Sequence, residues 1–375
     1  MPIHEIEAKS ILRKYKKIDS WFISHYGMNL YRGCTHDCVY CDGRAENYFV
    51  EGDFGKDIVI KKNAIEVLRN ELDPKRRRIP LKKSFILPGG GVGDSYEPVE
   101  QKYELTRKAL ELLYEFGYPV HMLTKSVLIK RDFDILQKIN KQNRAIISFS
   151  FSTVDDKISK IFEPLAALPS KRLETISFFK DHGFACGMFL MPVIPFITDT
   201  PQMIEQSISE GIKAGIDFII FGGMTLKAGR QKEYFTKTIF EHFPHLQIEY
   251  ENLYNNDNWG NPAKEYFETV NYTFQTFAQR YKISKRIPAY LFNNILNEND
   301  LVTVILEQID YLLKLRGSKS NFGYAAYAVS KLETSISSIR SELGQINGIG
   351  PTIRKIIWEI LDTGTSRYYE RLLVE

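Results

Sequence analysis

Three cysteines within eight residues, in the stretch NLYRGCTHDCVYCDGRAE from Asn29 to Glu46, constrain this chain more than any other feature. Cys34, Cys38 and Cys41 leave three and then two residues between thiols, a spacing that suits a loop wrapping three thiolates around one iron-sulfur cluster. Such clusters usually take four protein ligands. Three thiolates from one loop leave one iron free to bind and activate a substrate. His36 offers an alternative, a three-Cys, one-His zinc site. Structural zinc ligands, however, usually come as two separated pairs, and the sequence holds no second pair. A disulfide framework is out of place in 375 residues with four cysteines. The clustered thiols read as belonging to a reduced, intracellular compartment.

The rest of the chain must build a scaffold for that loop. Hydrophobic residues make up 43% and charged residues 26%, as in an ordinary soluble protein, and the length allows one large domain plus a small one. No apolar run opens the chain or approaches eighteen residues, so neither signal peptide nor membrane span is expected, and a cytoplasmic location follows. A net charge of +4 does not by itself argue for nucleic acid. The local runs Lys61-Lys62, Lys75-Arg76-Arg77-Arg78 and Lys82-Lys83 read as solvated loops or as a phosphate-contacting rim.

Ile6 to Tyr15 reads as helical, and Gly27 to Tyr31 as a first strand leading into the cysteine loop. Asn63 is placed to cap a helix ended by Asp73-Pro74. Strands are then expected at Phe85–Leu87, Val120–Leu123, Ala145–Phe151, Ala185–Met191 and Phe218–Phe221, alternating with helices at 101–116, 131–141, 170–182 and 202–214. This alternation predicts an α/β fold with a parallel sheet, an open (β/α)6 partial barrel whose functional groups gather at the carboxyl edge. Unusual residues stand at those strand ends. Pro88 to Ser95 is glycine-rich and contains Gly90, Gly91 and Asp94; Lys125 follows the third strand; Ser148, Ser150 and Ser152 alternate along the fourth, sharing one face.

Taken together, NLYRGCTHDCVYC with Tyr40 before its last cysteine, GDSYEPVE, LTKSVLIKRDFDIL, SFSFSTVDD, FEPLAALPSKRLE and MPVIPFITD resemble the radical S-adenosylmethionine (SAM) enzymes related to spore photoproduct lyase, over roughly residues 25 to 225. The resemblance implies a 4Fe-4S cluster on Cys34, Cys38 and Cys41, with SAM chelating the open iron. It also implies a one-electron donor such as flavodoxin or ferredoxin, and cleavage of SAM to a 5'-deoxyadenosyl radical. It further implies that Tyr40 supports the adenine, that the loop Gly90 to Asp94, with Gly91, meets the methionyl amino group, and that Lys125 with Ser148 or Ser150 meets the SAM carboxylate and ribose. Two departures concern return of a hydrogen atom to the product. Asp42 stands where the spore enzyme has a tyrosine, and Gly91 or a neighbour where it has a donor cysteine. Cys186, on the fifth strand, and Tyr96 are the substitute donors to consider; the alternative for Cys186 is a small core residue.

Beyond Asn297 helices take over, at 301–315 and 321–339. INGIGPTIRKIIWEILDTG, with NFGYAAYAVSKLETSI before it and YYERL after, resembles the helix-hairpin-helix domain at the start of family X DNA polymerases, whose turn directs backbone N–H groups at a phosphate. That domain's lyase lysine falls at Ile356, one residue past Lys355, so DNA holding by Gly348, Ile349, Gly350, Thr352, Arg354 and Lys355 is expected rather than lyase chemistry. The expected division is a radical SAM barrel over 1–296, a connecting helix over 297–316 and a small all-α hairpin domain over 317–375.

The combined expectation is an enzyme that repairs or modifies a base in DNA, with a UV-derived pyrimidine lesion as one candidate. Thr198, Asp199 and Tyr250 to Trp259 are candidates to line the base pocket. The alternatives are modification of RNA or tRNA, and a non-catalytic iron-sulfur sensor that binds nucleic acid.

Overall fold

A computed structural model describes residues 3–46, 48, 52–76, 79–89, 92–254 and 259–375. Among them ten strands form, β1 (Ile3–Ile6), β2 (Leu12–Asp19), β3 (Ser24–Met28), β4 (Tyr31–Arg32), β5 (Ile58–Lys61), β6 (Phe85–Pro88), β7 (Val120–Thr124), β8 (Ala145–Phe151), β9 (Ala185–Leu190) and β10 (Phe218–Phe221). The main sheet has the order β10-β9-β8-β7-β6-β3-β2. Every pair from β3 through β6 to β10 is parallel, and only β2 runs antiparallel, against β3. Six parallel strands in sequence order, each followed by helix on the outside, make the open partial barrel that the alternation predicts. A small second sheet, β1-β5-β4, flanks the cysteine loop.

The alternation of side chains across each strand sorts the molecule into layers. Ala145, Ile147, Phe149 and Phe151 of β8 face outward, in one apolar core with Ile176, Phe179, Ile204 and Ile208 of the surrounding helices. Ile146 faces inward with Phe85, Ala185, Phe189, Phe218 and Ile220. The register sets Leu123, Ser148, Gly187 and Phe218 side by side in one row across the interior. Gly187 is required there, because a Cβ would run into the Phe218 ring and lie 2.7 Å from Ser148 Oγ. Phe22, from the turn between β2 and β3, stacks on Phe189 at 5.3 Å, and His121 fills the remaining space with Nε2 2.8 Å from Ser148 Oγ. Burial pushes the His121 imidazole down to about 4, so it stays neutral.

The structure corrects four local expectations. The segment 6–15 is not a helix: it divides between β1 and β2, and the backbone N–H groups of Ile11 and Leu12 donate to the Glu71 carboxylate instead of starting a helical turn. Asn63 does not cap its helix, because its side-chain amide is taken by both backbone groups of Ala8. The helix expected over 101–116 breaks at Glu104, which takes a left-handed conformation at φ 53°, while the Glu100 carboxylate turns back to accept from Thr106 N at 2.9 Å. The helix expected over 321–339 ends at Ser330, and a 3-10 segment follows at 336–345.

The carboxyl-terminal helices lie against the amino end of the barrel. Phe85, Ile146, Ala185 and Phe218 lie in the first two residues of their strands and share one apolar core with Ile287, Phe292, Val302, Ile305 and Ile309. His25 Nε2 meets Asp300 Oδ2 at 2.9 Å, both buried. Gln308 donates to the Ser20 carbonyl at 2.9 Å, and the Arg286 guanidinium sits between the rings of Trp21 and Tyr311 at 4.0 and 3.6 Å. The helix Glu298–Leu315 thereby closes the barrel floor.

Candidate active site at the carboxyl edge

The cysteine loop leaves β4 through Gly33, whose φ of 92° suits glycine, and turns again at Asp37 with φ 54°. Its folded shape is held by groups from three other elements. Thr35 donates through its backbone N–H, at 2.9 Å, and its hydroxyl to Glu97 Oε2. Val39 N donates to the Phe162 carbonyl at 2.8 Å. Arg44 reaches back with Nε to the Cys38 carbonyl at 3.1 Å, pairs with Asp37 and lies 3.7 Å over the Tyr234 ring. The three thiols are thus fixed by hydrogen bonds that do not involve the sulfurs.

Two buried carboxylates organise the strand ends around this loop. Asp94, after β6, receives Thr124 Oγ1 at 2.7 Å, the backbone N–H groups of Lys125 and Tyr96 at 2.8 and 2.9 Å, and His36 Nε2 at 3.1 Å. Burial alone would push its carboxyl up, but these donors, His36 first, hold it down at about 2. Glu163 lies beyond β8, between two short helices, Asp156–Phe162 and Pro169–Asp181. It accepts from the Tyr40 hydroxyl, from Ser152 Oγ at 3.0 Å and Ser159 Oγ at 3.2 Å, and pairs with the fully buried Arg172. Against the upward push of burial, the Arg172 guanidinium and the Lys125 ammonium at 3.9 Å hold it at about 2. Lys125 Nζ also donates to Ser150 Oγ at 2.7 Å and stands 5.9 Å from the centre of the Tyr40 ring. Tyr40, Lys125, Ser150 and Glu163 therefore form one connected group beside Cys38.

The expected site residues separate into those the fold gathers and those it does not. Cys34, Cys38, Cys41, Tyr40, Asp94, Lys125 and Ser150 converge at the carboxyl edge. Ser148 lies one row deeper, bonded to His121. Gly90 and Gly91 lie outside the described residues. Cys186 faces the opposite way from the cavity: its Sγ is buried against the Ile176 and Phe184 carbonyls at 3.8 and 3.9 Å, in the outer core, and burial pushes the thiol up to about 12. Strand alternation imposes this, since the inward places on β9 belong to Ala185, Gly187 and Phe189. Tyr96 is likewise buried in the outer core, its hydroxyl without a partner in good hydrogen-bonding geometry. Neither lines the cavity as a hydrogen donor would. Thr198 bonds back to Ile194 N at 2.7 Å, Asp199 accepts from Tyr266, and Tyr250 and Tyr254 are buried in one apolar group with Cys38 and Tyr40. Asn255 to Asn258 fall outside the described residues.

Sequence reasoning assigned no role to Glu163, Arg172, Glu97 or His121. The FEPLAALPSKRLE run carried the signal for the first two, an acid and an arginine nine residues apart around a turn. Their pairing across the strand end was not visible in the spacing.

The residues present fit an iron-sulfur cluster held through three of its irons by Cys34, Cys38 and Cys41. Burial pushes all three thiols up, Cys38 to about 12, so thiolates here require a strongly positive partner. Beside Cys34, the buried atoms His36 Nδ1 and Glu97 Oε1 have no hydrogen-bond partner, and Cys34, His36 and Glu97 offer ligand atoms within 4.8 Å of one another. A polar group bound at this edge would satisfy both orphans.

At the far end of the molecule, Gly348 has φ 90° and Gly350 precedes the helix Pro351–Thr363, whose first turn has no side-chain cap. Gly344 to Ile353, with Asn321, line a cleft of about 490 Å³. Ile349 is buried, Arg354 half-buried with its guanidinium 5.2 Å over Trp358, and Thr352 and Lys355 are exposed. No described helix is long and apolar enough to cross a membrane.

The chain matches the Radical SAM superfamily over residues 28–201 and a helix-hairpin-helix domain over residues 297–366. An uncharacterized protein of Mycobacterium tuberculosis is 28% identical over 255 residues, covering 67% of this chain and 73% of that one. One from Methanocaldococcus jannaschii is 25% identical over 211 residues, 56% and 74% of the two chains. A solved structure of a spore photoproduct lyase mutant aligns with a TM-score of 0.54 at 15% identity, over 74% of this chain and 79% of that one, which shows the shared fold.

Proposed function

Because the chain carries a radical SAM domain followed by a helix-hairpin-helix domain, we propose that it is a radical SAM enzyme acting on a base in DNA, a UV-derived pyrimidine lesion being the first candidate. The observation that carries this reading is the convergence of Cys34, Cys38 and Cys41 with Lys125 and Ser150 at the carboxyl edge of the sheet. Cys34, Cys38 and Cys41 would hold a 4Fe-4S cluster. Held there with SAM and given one electron by a donor of the flavodoxin or ferredoxin kind, the cluster would supply the one-electron chemistry that starts hydrogen-atom abstraction from substrate.

The chain's own residues do the rest. Lys125 presents an ammonium and Ser150 a hydroxyl toward the space beside Tyr40, suited to a carboxylate and a ribose. Glu163 fixes the Tyr40 ring and, with Arg172, the end of β8. Asp94 fixes the backbone at Lys125. The floor of Phe22, His121, Phe189 and Phe218 keeps water from entering from below. The backbone N–H groups of Gly348, Gly350 and Thr352 suit a phosphate, and a damaged, poorly stacked base costs less to extrude toward the rim than an intact one.

The test uses anaerobically reconstituted protein with SAM and dithionite, measuring 5'-deoxyadenosine with no polymer, intact DNA, UV-irradiated DNA and RNA. Stimulation by irradiated DNA supports the reading. Stimulation by RNA alone replaces it with RNA modification, and an intact cluster that never cleaves SAM replaces it with a sensor.

A further inference from the structure

The loop between β9 and the helix Pro201–Ala214 crosses the rim beside the cysteine loop. It starts at the site itself, where Ser150 Oγ donates to the Met191 carbonyl at 3.2 Å. Further along, Ile194 and Ile197 lie in one apolar group with Cys38, Val39 and Tyr40. Thr198 closes this stretch into a tight turn: its backbone N–H donates to the Ile194 carbonyl at 2.9 Å, and its hydroxyl accepts from Ile194 N at 2.7 Å. Phe196 stands in the middle of that turn.

Its backbone is left-handed, with φ 63°, a conformation that glycine adopts freely and a bulky side chain does not. Ile23 is the other large apolar residue with positive φ among the described residues, and it is fully buried, so packing accounts for it. Packing does not account for Phe196, whose side is 38% exposed. The conformation is held from several directions: the Tyr250 hydroxyl donates to the Pro195 carbonyl, and the Asp199 carboxylate, which takes the Tyr266 hydroxyl, faces the Phe196 backbone N–H. The ring meets Tyr250 edge-on at 5.5 Å and Tyr266 at a tilt at 5.8 Å, so neither neighbour lies flat against it. A strained, braced aromatic ring is thus presented at the rim next to Cys38 and Tyr40. Strain of this kind persists where the surroundings over-determine it, and it gathers at functional sites.

We infer that Phe196 is a wedge that enters the DNA stack where the reacting base leaves it, so that the enzyme opens a duplex for itself. The inference rests on the functional reading above. Extruding a base forfeits its stacking, and an apolar ring inserted at that step holds the gap open and replaces part of the lost contact. A ring with two torsions on a braced backbone gives up little conformational freedom when it inserts.

The experiment compares 5'-deoxyadenosine release by the reconstituted enzyme on an irradiated duplex with one TT step and on irradiated TpT dinucleotide, which has no stack to open. Phe196→Gly removes the ring and accepts the backbone conformation. It is expected to raise KM for the duplex at least about tenfold more than KM for the dinucleotide, as loss of one stacking contact requires, and Phe196→Tyr is expected to restore the native ratio. A second measurement uses the native protein: the irradiated strand is annealed to a complement carrying 2-aminopurine opposite the lesion, whose fluorescence should rise on binding and should not rise with Phe196→Gly. An equal change in KM on both substrates, or no fluorescence rise with the native protein, overturns the wedge while leaving DNA as the substrate. Absence of stimulation of the native enzyme by either irradiated substrate overturns the functional reading itself, and the wedge with it.

Discussion

Glu163 does the work of several residues because a buried carboxylate with five partners, Tyr40, Ser152, Ser159, Arg172 and Lys125, cannot be moved without moving all of them. Substituting Glu163→Gln leaves the Arg172 guanidinium buried and uncompensated, which costs about 3–5 kcal/mol. The expected result is a large drop in thermal midpoint, together with loss of the SAM-induced change in the cluster's EPR signal even where iron content is restored. Retention of that spectral response would separate Glu163 from the placement of Tyr40 and Lys125. Acid sensitivity follows from the same group. The carboxyl is held at about 2 in the fold against 4.5 as its ordinary value, so its contribution is complete above about 4.5 and is lost as the pH falls toward 2. That contribution is on the order of 3 kcal/mol, and thermal midpoints of the native protein and the Gln variant should converge across this window. Cysteine substitutions divide by the face each thiol occupies. Ala at Cys34, Cys38 or Cys41 should abolish bound iron and its visible absorption. Cys186→Ala should keep both and lose about 1 kcal/mol or less of stability, in line with a small truncation in the outer core.

At the scale of elements, legibility followed how local the determining interaction is. The five strands from Phe85 onward were readable because each is a short apolar run bounded by helical periodicity, and Lys125 and Asp94 were readable because strand ends can be located once strands are. The helix expected over 6–15 fails because β2 is an edge strand rich in lysine and arginine, whose pairing with β3 and whose neighbouring contact with Glu71 are set by residues far along the chain. Glu163 and Arg172 were missed for the same reason, since their meeting with Tyr40 spans 123 and more residues. The hairpin, by contrast, is encoded locally. Gly348 takes φ 90°, and a Cβ there would run into the Tyr324 ring. Gly348→Ala should therefore cost at least about 1–2 kcal/mol and loosen the helix Phe322–Ser330, read as faster amide hydrogen exchange at Tyr324 to Ala328 with little change in the barrel.

At the scale of the whole molecule, the helical end is fused to the barrel through a shared core rather than tethered to it. A truncation ending at residue 296 would expose Phe85, Ile146, Phe189 and Phe218 and leave His25 without Asp300. It should be recovered mainly as aggregate, or as a species that binds hydrophobic dye strongly and unfolds well below the intact chain; a monomeric, cooperatively folding fragment would contradict the shared core. The row Leu123, Ser148, Gly187 and Phe218 carries a last implication. With a ring seated where the neighbouring strand has no side chain, the barrel has a fixed depth stop, and nothing entering from the rim can sink below the level of Ser150. The fold thus works as a ruler. Whatever enters from the rim meets the same floor, and the residue at 218 is the mark that sets its level.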